Sequence, residues 1–339
     1  MDTYSKSLIL TIIVFLLFSL SGCDDTEAQR PDIHGLISVI EHNENTVYII
    51  GSMHSGFEHW YPLNYVVESA MINSDVFVFE FDPNAFGDIC MCVDIDCNCY
   101  DYECICLIEN LWFFGGGRTL GSYLSVDVLE NFIAVLSTYE SVSILDIAHL
   151  QPIPAVSFIQ NTETYYRLGL NSYFGVDHYV NEFALSNDKP TIGLEGFNEH
   201  FLVLLDMPRD YQISWIKNLS DSDTLIEEFT NMILRYENQD VEAMIHAIRG
   251  SLQRAYEKYD MGLICSSILG FERYFDEVMI VERSILFAER IGDLLRETDE
   301  PTTFFVTVGI GHLIGDDFGN VFNVLTHNGF EVIPLYETE

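Results

Sequence analysis

Thr46-Val47-Tyr48-Ile49-Ile50-Gly51-Ser52-Met53-His54 and, after an intervening helical stretch, Val76-Phe77-Val78-Phe79-Glu80-Phe81-Asp82 are the two runs whose reading decides the fold. The first is apolar and β-branched and stops at a glycine, the pattern of a buried strand entering a loop. From Asn64 to Ile72, Val67, Ala70 and Met71 fall at helical spacing, and Asn73-Ser74-Asp75 ends that helix. The second run alternates, sending its three phenylalanines to one face and Glu80 with Asp82 to the other. A strand, helix, strand crossover joins parallel strands, so both carboxyl ends lie on one edge. His54 and Glu80 sit at that edge, where open α/β sheets bind ligands.

Upstream, His34 to Ile40 reads as a strand paired with Thr46 to Ile50 through a turn at Glu41 to Asn45. Near the other terminus, Thr303 to Val308 is an apolar strand followed by Gly309-Ile310-Gly311-His312, a helix around Asn320 to His327 and a strand from Glu331 to Tyr336. The order repeats that of the first unit. The expected fold class is α/β: a mixed sheet built from two pseudo-repeated strand, G-x-x-H, helix, strand units with helical insertions, His54 and His312 being equivalent. Between the units, Leu120 to Tyr139 reads as a helix with Ser125 as a possible cap. Pro190 to Glu195 is a short strand ending in a carboxylate, and Gln212 to Arg296 is mostly helical. Within that last region Val241, Met244, Ile245, Ile248, Leu252, Ala255 and Tyr256 form one apolar face, read as core packing.

At the amino terminus, polar Met1 to Lys6 precedes an apolar run from Ser7 to Leu20, too short for the roughly 20 residues of a spanning helix. It leads into Leu20-Ser21-Gly22-Cys23, which resembles a bacterial lipobox. Residues 1–22 are therefore expected to be a lipoprotein signal peptide, 23–32 a lipid-anchored tether beginning at Cys23, and 33–339 a single domain. The expected location is the cell envelope, exported and anchored to a membrane without spanning it.

The chain of 339 residues carries 53 acidic against 15 basic residues, a net charge of −38. Such a charge repels phosphate backbones and excludes nucleic acid as a partner. Cation binding, a salt-suited surface and cationic substrates are all compatible with it. Cys90, Cys92, Cys97, Cys99, Cys104 and Cys106 form three C-x-C pairs inside an insertion at about 87–117, closed by Gly115-Gly116-Gly117. In an oxidising location the simplest reading is a disulfide-stapled excursion. Thiolate metal binding with the interleaved Asp94, Asp96 and Asp101 is the alternative, at a spacing unlike standard zinc sites. Cys265 stands alone.

Two histidines and a carboxylate on one sheet edge supply three ligands and leave a position open for water on a catalytic divalent ion. One G-x-x-H is weak evidence, but two copies, each after an apolar strand, are telling. His54, His312 and Glu80 are thus the expected metal ligands. Asp82 or Glu195 is the candidate to assist water activation, Glu195 being equally readable as a further ligand or a helix cap. Arg283 is readable either as an oxyanion-stabilising donor or as a surface partner of Glu277 or Glu282. His59, His149, His178 and His200 are read as structural.

The stretch Tyr48 to His54, then Tyr61-Pro62-Leu63, then Val78 to Asp82 resembles the opening of the TraB/GumN family, which includes the Tiki proteases. Further matches follow in family order: Arg118-Thr119-Leu120, Gly175-Val176-Asp177, Gly193-Leu194-Glu195, Glu282-Arg283-Ser284 and Val308 to Leu313. Together they span nearly all of 33–339. The resemblance implies a fold similar to those of erythromycin esterases (EreA-like) and haem-binding ChaN-like proteins. It also implies an active site at Glu80, His54 and His312 with Arg283 nearby, and manganese or cobalt as the ion, zinc being possible on chemistry. Two departures stand out: Ser284 occupies the place of a usual asparagine, and the cysteine-rich insertion is not a family feature. The function expected is a membrane-tethered metal-dependent hydrolase acting on peptides or other small substrates, a peptidase by preference. A non-catalytic metal- or haem-binding lipoprotein is the alternative.

Overall fold

The computed structural model describes residues 32–84, 112–196, 199–200, 203, 207–245, 275–298, 300–314 and 319–335. The signal segment, Cys23, the six clustered cysteines from Cys90 to Cys106, Cys265 and the apolar face beyond Ile245 lie outside the described residues.

Six strands form one mixed sheet: β1 (Ser38–His42), β2 (Asn45–Ser52), β3 (Val76–Phe81), β4 (Thr191–Glu195), β5 (Thr303–Gly309) and β6 (Ile333–Pro334), in the order β4-β3-β5-β2-β1-β6. β2, β5, β3 and β4 run parallel, and β1 is antiparallel to both of its neighbours. The expected hairpin forms, but its turn is tighter than the sequence suggested. Asn43 and Glu44 both adopt positive φ (48° and 69°), and pairing already resumes at His42 with Asn45. The first strand starts at Ser38 rather than His34, because Gly35 and Leu36 turn the chain with φ of 52° and 56°. Gly35 also lies so close to β2 that a Cβ would stand 2.5 Å from the carbonyl oxygen of Gly51.

β2 and β3 are parallel, as the crossover requires, but they are not neighbours. β5 lies between them, pairing Thr46 with Thr303 on one side and Val76 with Phe304 on the other. The two units end differently. β3 is an interior parallel strand, whereas the last strand shrinks to Ile333–Pro334 and lies antiparallel at the sheet edge.

Alternation in the strands builds two cores, one on each face of the sheet. Ile50, Phe77, Phe79 and Phe305 point to α1 (Tyr65–Asn73), where Asn64 caps the helix by accepting from the Val66 N–H. On this face the helices Val176–Ser186 and Ser222–Glu237 complete the core with Val176, Val180, Ile233 and Tyr236. Val47, Ile49, Val78, Val306 and Val308 point the other way, to the helices Arg283–Glu297 and Val321–His327, meeting Phe287, Ile291, Leu295, Val321 and Leu325.

The inserted helices are α2 (Val126–Leu136), α3 (Pro152–Leu168), α4 (Val176–Ser186), α5 (Arg209–Lys217) and α6 (Ser222–Glu237). The single helix expected at Leu120 to Tyr139 is interrupted: one turn at Leu120–Tyr123, then an extended Ser125 at the N-cap of α2. Helices α2, α3, α5 and α6 enclose a third core of their own around Phe132, Ile147, Val156 and Ile216. Tyr236 ties this layer to the sheet, its hydroxyl donating to the Gly51 carbonyl at 2.9 Å. The last two helices are α7 (Arg283–Glu297), entered through a π-helical stretch at Phe275–Glu282, and α8 (Val321–His327). Among the described residues no helix is long and apolar enough to cross a membrane.

Candidate active site at the carboxyl edge of the sheet

Because β5 is inserted between β2 and β3, the loops after all three strands meet at one edge. His54 follows β2, Glu80 is the penultimate residue of β3, and His312 ends a 3-10 turn, Ile310–His312, directly after β5. Gly309 stands in their midst. A Cβ there would lie 3.1 Å from Glu80 Oε1, 3.7 Å from His312 Cδ2 and 3.9 Å from His54 Nε2. The missing side chain leaves a small space into which the three groups converge.

Each of the three is held from behind. His312 is 4% exposed, packs edge-on against the Phe287 ring at 4.9 Å, and lies with Nδ1 2.9 Å from Ser284 Oγ. The hydroxyl proton of Ser284 goes to the Ile280 carbonyl at 2.7 Å, so toward His312 the oxygen accepts and Nδ1 carries the hydrogen. Burial pushes the His312 pKa down, so the ring is neutral at neutral pH and its Nε2 presents a lone pair. That lone pair faces Glu80 Oε1 at 3.7 Å.

Glu80 itself is anchored by Arg283, whose Nη2 donates to Oε2 at 2.8 Å, and by the Gly309 N–H, which donates to Oε1 at 2.6 Å. Burial alone would raise its pKa, but at the low pH where it titrates the protonated His312, Arg283, His54 and the Gly309 N–H outweigh that and hold it at about 2. His54 is the open side of the triangle, its side chain 71% exposed, with Nδ1 3.3 Å from Asp177 Oδ1. The Asp177 carboxylate raises the His54 pKa to about 9.

A carboxylate oxygen and an imidazole lone pair facing each other call for a cation between them. Two donors on an ion with bonds of about 2.1 Å stand about 3–3.5 Å apart, so the 3.7 Å between His312 and Glu80 is close to that spacing. The far nitrogen of each histidine is oriented by a polar partner, as in metal sites generally. The donor set therefore fits a divalent ion. As placed, no three His, Cys, Asp or Glu among the described residues are close enough to hold one, His54 being the outlying member.

A second layer surrounds the first. Arg283 Nε donates to Glu195 Oε1 at 2.6 Å, so one guanidinium joins the carboxylates that end β3 and β4. Its Nη1 is 3.4 Å from the Met279 carbonyl. The sequence offered Glu277 and Glu282 as ion-pair partners. The helix instead turns Arg283 inward, where it is 13% exposed and meets acids far away along the chain. Glu195 is 1% exposed in its side chain, and its Oε2 lies 3.3 Å from His200 Nδ1. His200 stacks on Phe81 at 5.5 Å and borders the cavity below. Asp82 is not brought to this cluster. It follows the end of β3, and its Oδ1 accepts from Thr191 Oγ1 at 2.9 Å and from the Asn84 N–H at 3.0 Å.

The edge opens into a cavity of about 630 Å³, within the usual range of small-ligand sites. His54, Glu80, Phe79, Asp177, Tyr173 and His200 contribute to its lining. Three contributors escaped the sequence reading. Asp177 and Ser284 entered only through resemblance motifs, and His200 was read as structural; its place three residues before Val203 carries no pattern that would have marked it.

No curated protein matches the chain. A family model described as the TraB/PrgY/gumN family matches residues 36–334, which includes every group described at this edge. The chain belongs to the TraB/PrgY/gumN family.

Proposed function

We propose that the protein is a metal-dependent hydrolase acting on peptides or similar small substrates, with a divalent ion held by His54, His312 and Glu80. The observation that carries this reading is the convergence of two imidazoles and a carboxylate on the side-chain-free face of Gly309, at the wall of a ligand-sized cavity. A divalent ion there, manganese, cobalt or zinc, supplies Lewis acidity toward a carbonyl and water.

The chain's own groups divide the remaining work. Ser284 and Asp177 orient the imidazoles, so that both Nε2 atoms face the substrate side. Arg283 has its fork committed to Glu80 and Glu195, so in this proposal it positions those carboxylates instead of waiting as a free oxyanion donor. Arg283 Nη2, which can only donate, lies 3.3 Å from His200 Nδ1, as does Glu195 Oε2, so the guanidinium and this buried acid together hold the His200 ring at the cavity wall. Asp82 has no part in the chemistry.

The reading extends to a chain exported through residues 1–22, anchored in the cell envelope by a lipid on Cys23, with a disulfide-stapled insertion at about 87–117. The two G-x-x-H units are taken as a repeat within a fold like that of erythromycin esterases and ChaN-like proteins. The test is metal content and peptide hydrolysis for wild type, His54→Ala and His312→Ala after loading with manganese, cobalt or zinc. Parallel loss of metal and hydrolysis in both variants supports the hydrolase. Metal retained in both refutes the site. Metal lost from the variants with no wild-type turnover identifies a binding lipoprotein for metal or haem instead.

A further inference from the structure

The cavity has a floor that the proposed chemistry does not use. Ser52 at the end of β2 and Thr307 in β5 both contribute to its lining, on the sheet face covered by α4. They are 3% and 2% exposed, and neither hydroxyl has a hydrogen-bond partner among the described residues. The same holds for His178 Nε2, which reaches the cavity from the first turn of α4.

Buried hydroxyls in or beside helices bond a carbonyl one turn back: Ser74 donates to the Ala70 carbonyl, Thr164 to Gln160 and Ser214 to Asp210. A strand offers no carbonyl four residues back, so a hydroxyl inside a sheet needs a partner from elsewhere. Leaving it without one costs free energy that a methyl group would not. Two such hydroxyls and an imidazole nitrogen bordering one cavity point to a partner that arrives from the cavity.

The lining defines what that partner is. It holds no Lys or Arg among the described residues, and its two carboxylates, Glu80 and Asp177, are already engaged by Arg283 and His54. The charged lining groups are ion-paired, His54 with Asp177 and Glu80 with Arg283, so an entering ion would have to compete with an existing pair, whereas a neutral polar group would not. Phe79, Phe81 and Tyr173 supply apolar walls. We propose that Ser52, Thr307 and His178 form a subsite for an uncharged carboxamide, whose carbonyl and N–H meet both donors and acceptors there while its apolar body packs on the three aromatic rings. This rests on the functional reading above only in taking the cavity as a ligand site, and requires neither a metal nor turnover.

The test uses the full chain stripped of metal by a chelator and titrated with N-acetylphenylalaninamide, followed by calorimetry. Wild type binds the amide, and binds the carboxylate N-acetylphenylalanine at least about tenfold more weakly. Thr307→Val and Ser52→Ala each weaken amide binding about three- to tenfold while raising the melting temperature by about 2 °C or more. Thr307→Ser, which keeps the hydroxyl, restores affinity. Variants that melt higher yet bind as wild type overturn the proposal, as does equal binding of amide and carboxylate, or no binding of either. Binding intact in a protein that hydrolyses no peptide even after reloading with manganese, cobalt or zinc refutes the hydrolase and leaves the subsite standing.

Discussion

Gly309→Ala isolates the convergence point from the stability of the fold. Gly309 has φ −53° and ψ 137°, a conformation open to any residue, so alanine brings no backbone strain. It retains the N–H that donates to Glu80 Oε1 at 2.6 Å. Loss of glycine's freedom in the unfolded chain favours the folded variant by about 0.4–1 kcal/mol. Against this, the new methyl carbon would stand 3.1 Å from Glu80 Oε1, a few tenths of an ångström inside ordinary contact. Glu80 cannot easily recede, because Arg283 holds its other oxygen at 2.8 Å. These effects are of similar size and opposite sign, so overall stability should change by no more than about 1 kcal/mol. The site should change completely, since the methyl fills the space faced by His54, His312 and Glu80. The expected outcome is a melting temperature within about 3 °C of wild type and metal affinity reduced by more than about 100-fold, beyond the 10–100-fold typical of losing an outer partner. Metal content after dialysis and a thermal melt on the same sample measure both. An alanine variant that keeps wild-type metal stoichiometry refutes the claim that these residues converge on a metal position.

Arg283→Met leaves Glu80 and Glu195 buried without their shared cation, and should cost about 3–5 kcal/mol in chemical denaturation; a loss below 1 kcal/mol would show that the carboxylates find other partners. Ser284→Ala and Asp177→Ala remove the orienting partner of one histidine each and should weaken metal affinity by about 10–100-fold, measured by competition with a chromophoric chelator, with the far-UV spectrum unchanged. Asn45→Ala breaks one buried bond, Nδ2 to the Leu295 carbonyl at 3.1 Å, and one partly buried bond, the Thr302 N–H to Oδ1 at 2.9 Å, and should destabilise by about 2–3 kcal/mol; an unchanged denaturation midpoint would contradict a stabilising role for these bonds.

What the sequence made legible follows from range. The alternation of Val76 to Phe81 is a local property, and it placed Phe77 and Phe79 in one core and Val78 in the other. Asn64 as a helix start and the two G-x-x-H loops are equally local. Asp82 fails for the same reason: alternation holds only while the strand lasts, and β3 ends at Phe81. Sheet order was not legible, because nothing near Thr46 or Val76 specifies that β5 must enter between them. Arg283 shows the same limit. Along its helix the nearby acids are Glu277 and Glu282, whereas its partners Glu80 and Glu195 become neighbours only once three strands have aligned. His200 has no periodic pattern around it and became visible only through its distance from Glu195.

The place of β5 in the sheet has a consequence for how the chain comes to exist. Its pairing partners begin at Thr46 and Val76, but the strand itself is Thr303–Gly309, so it leaves the ribosome after nearly all of the rest. Until then β2 and β3 have no edge to share, and Ile49, Ile50, Phe77 and Val78 border an open apolar slot. Contacts so distant along the chain close slowly, and a half-built sheet with unpaired edges invites aggregation. The late arrival of one seven-residue strand thus makes closure of the sheet a step open only to the nearly finished polypeptide. A chain cut short before Thr303 would lose His312, the Gly309 gap and the seam that unites both halves of the sheet in a single stroke.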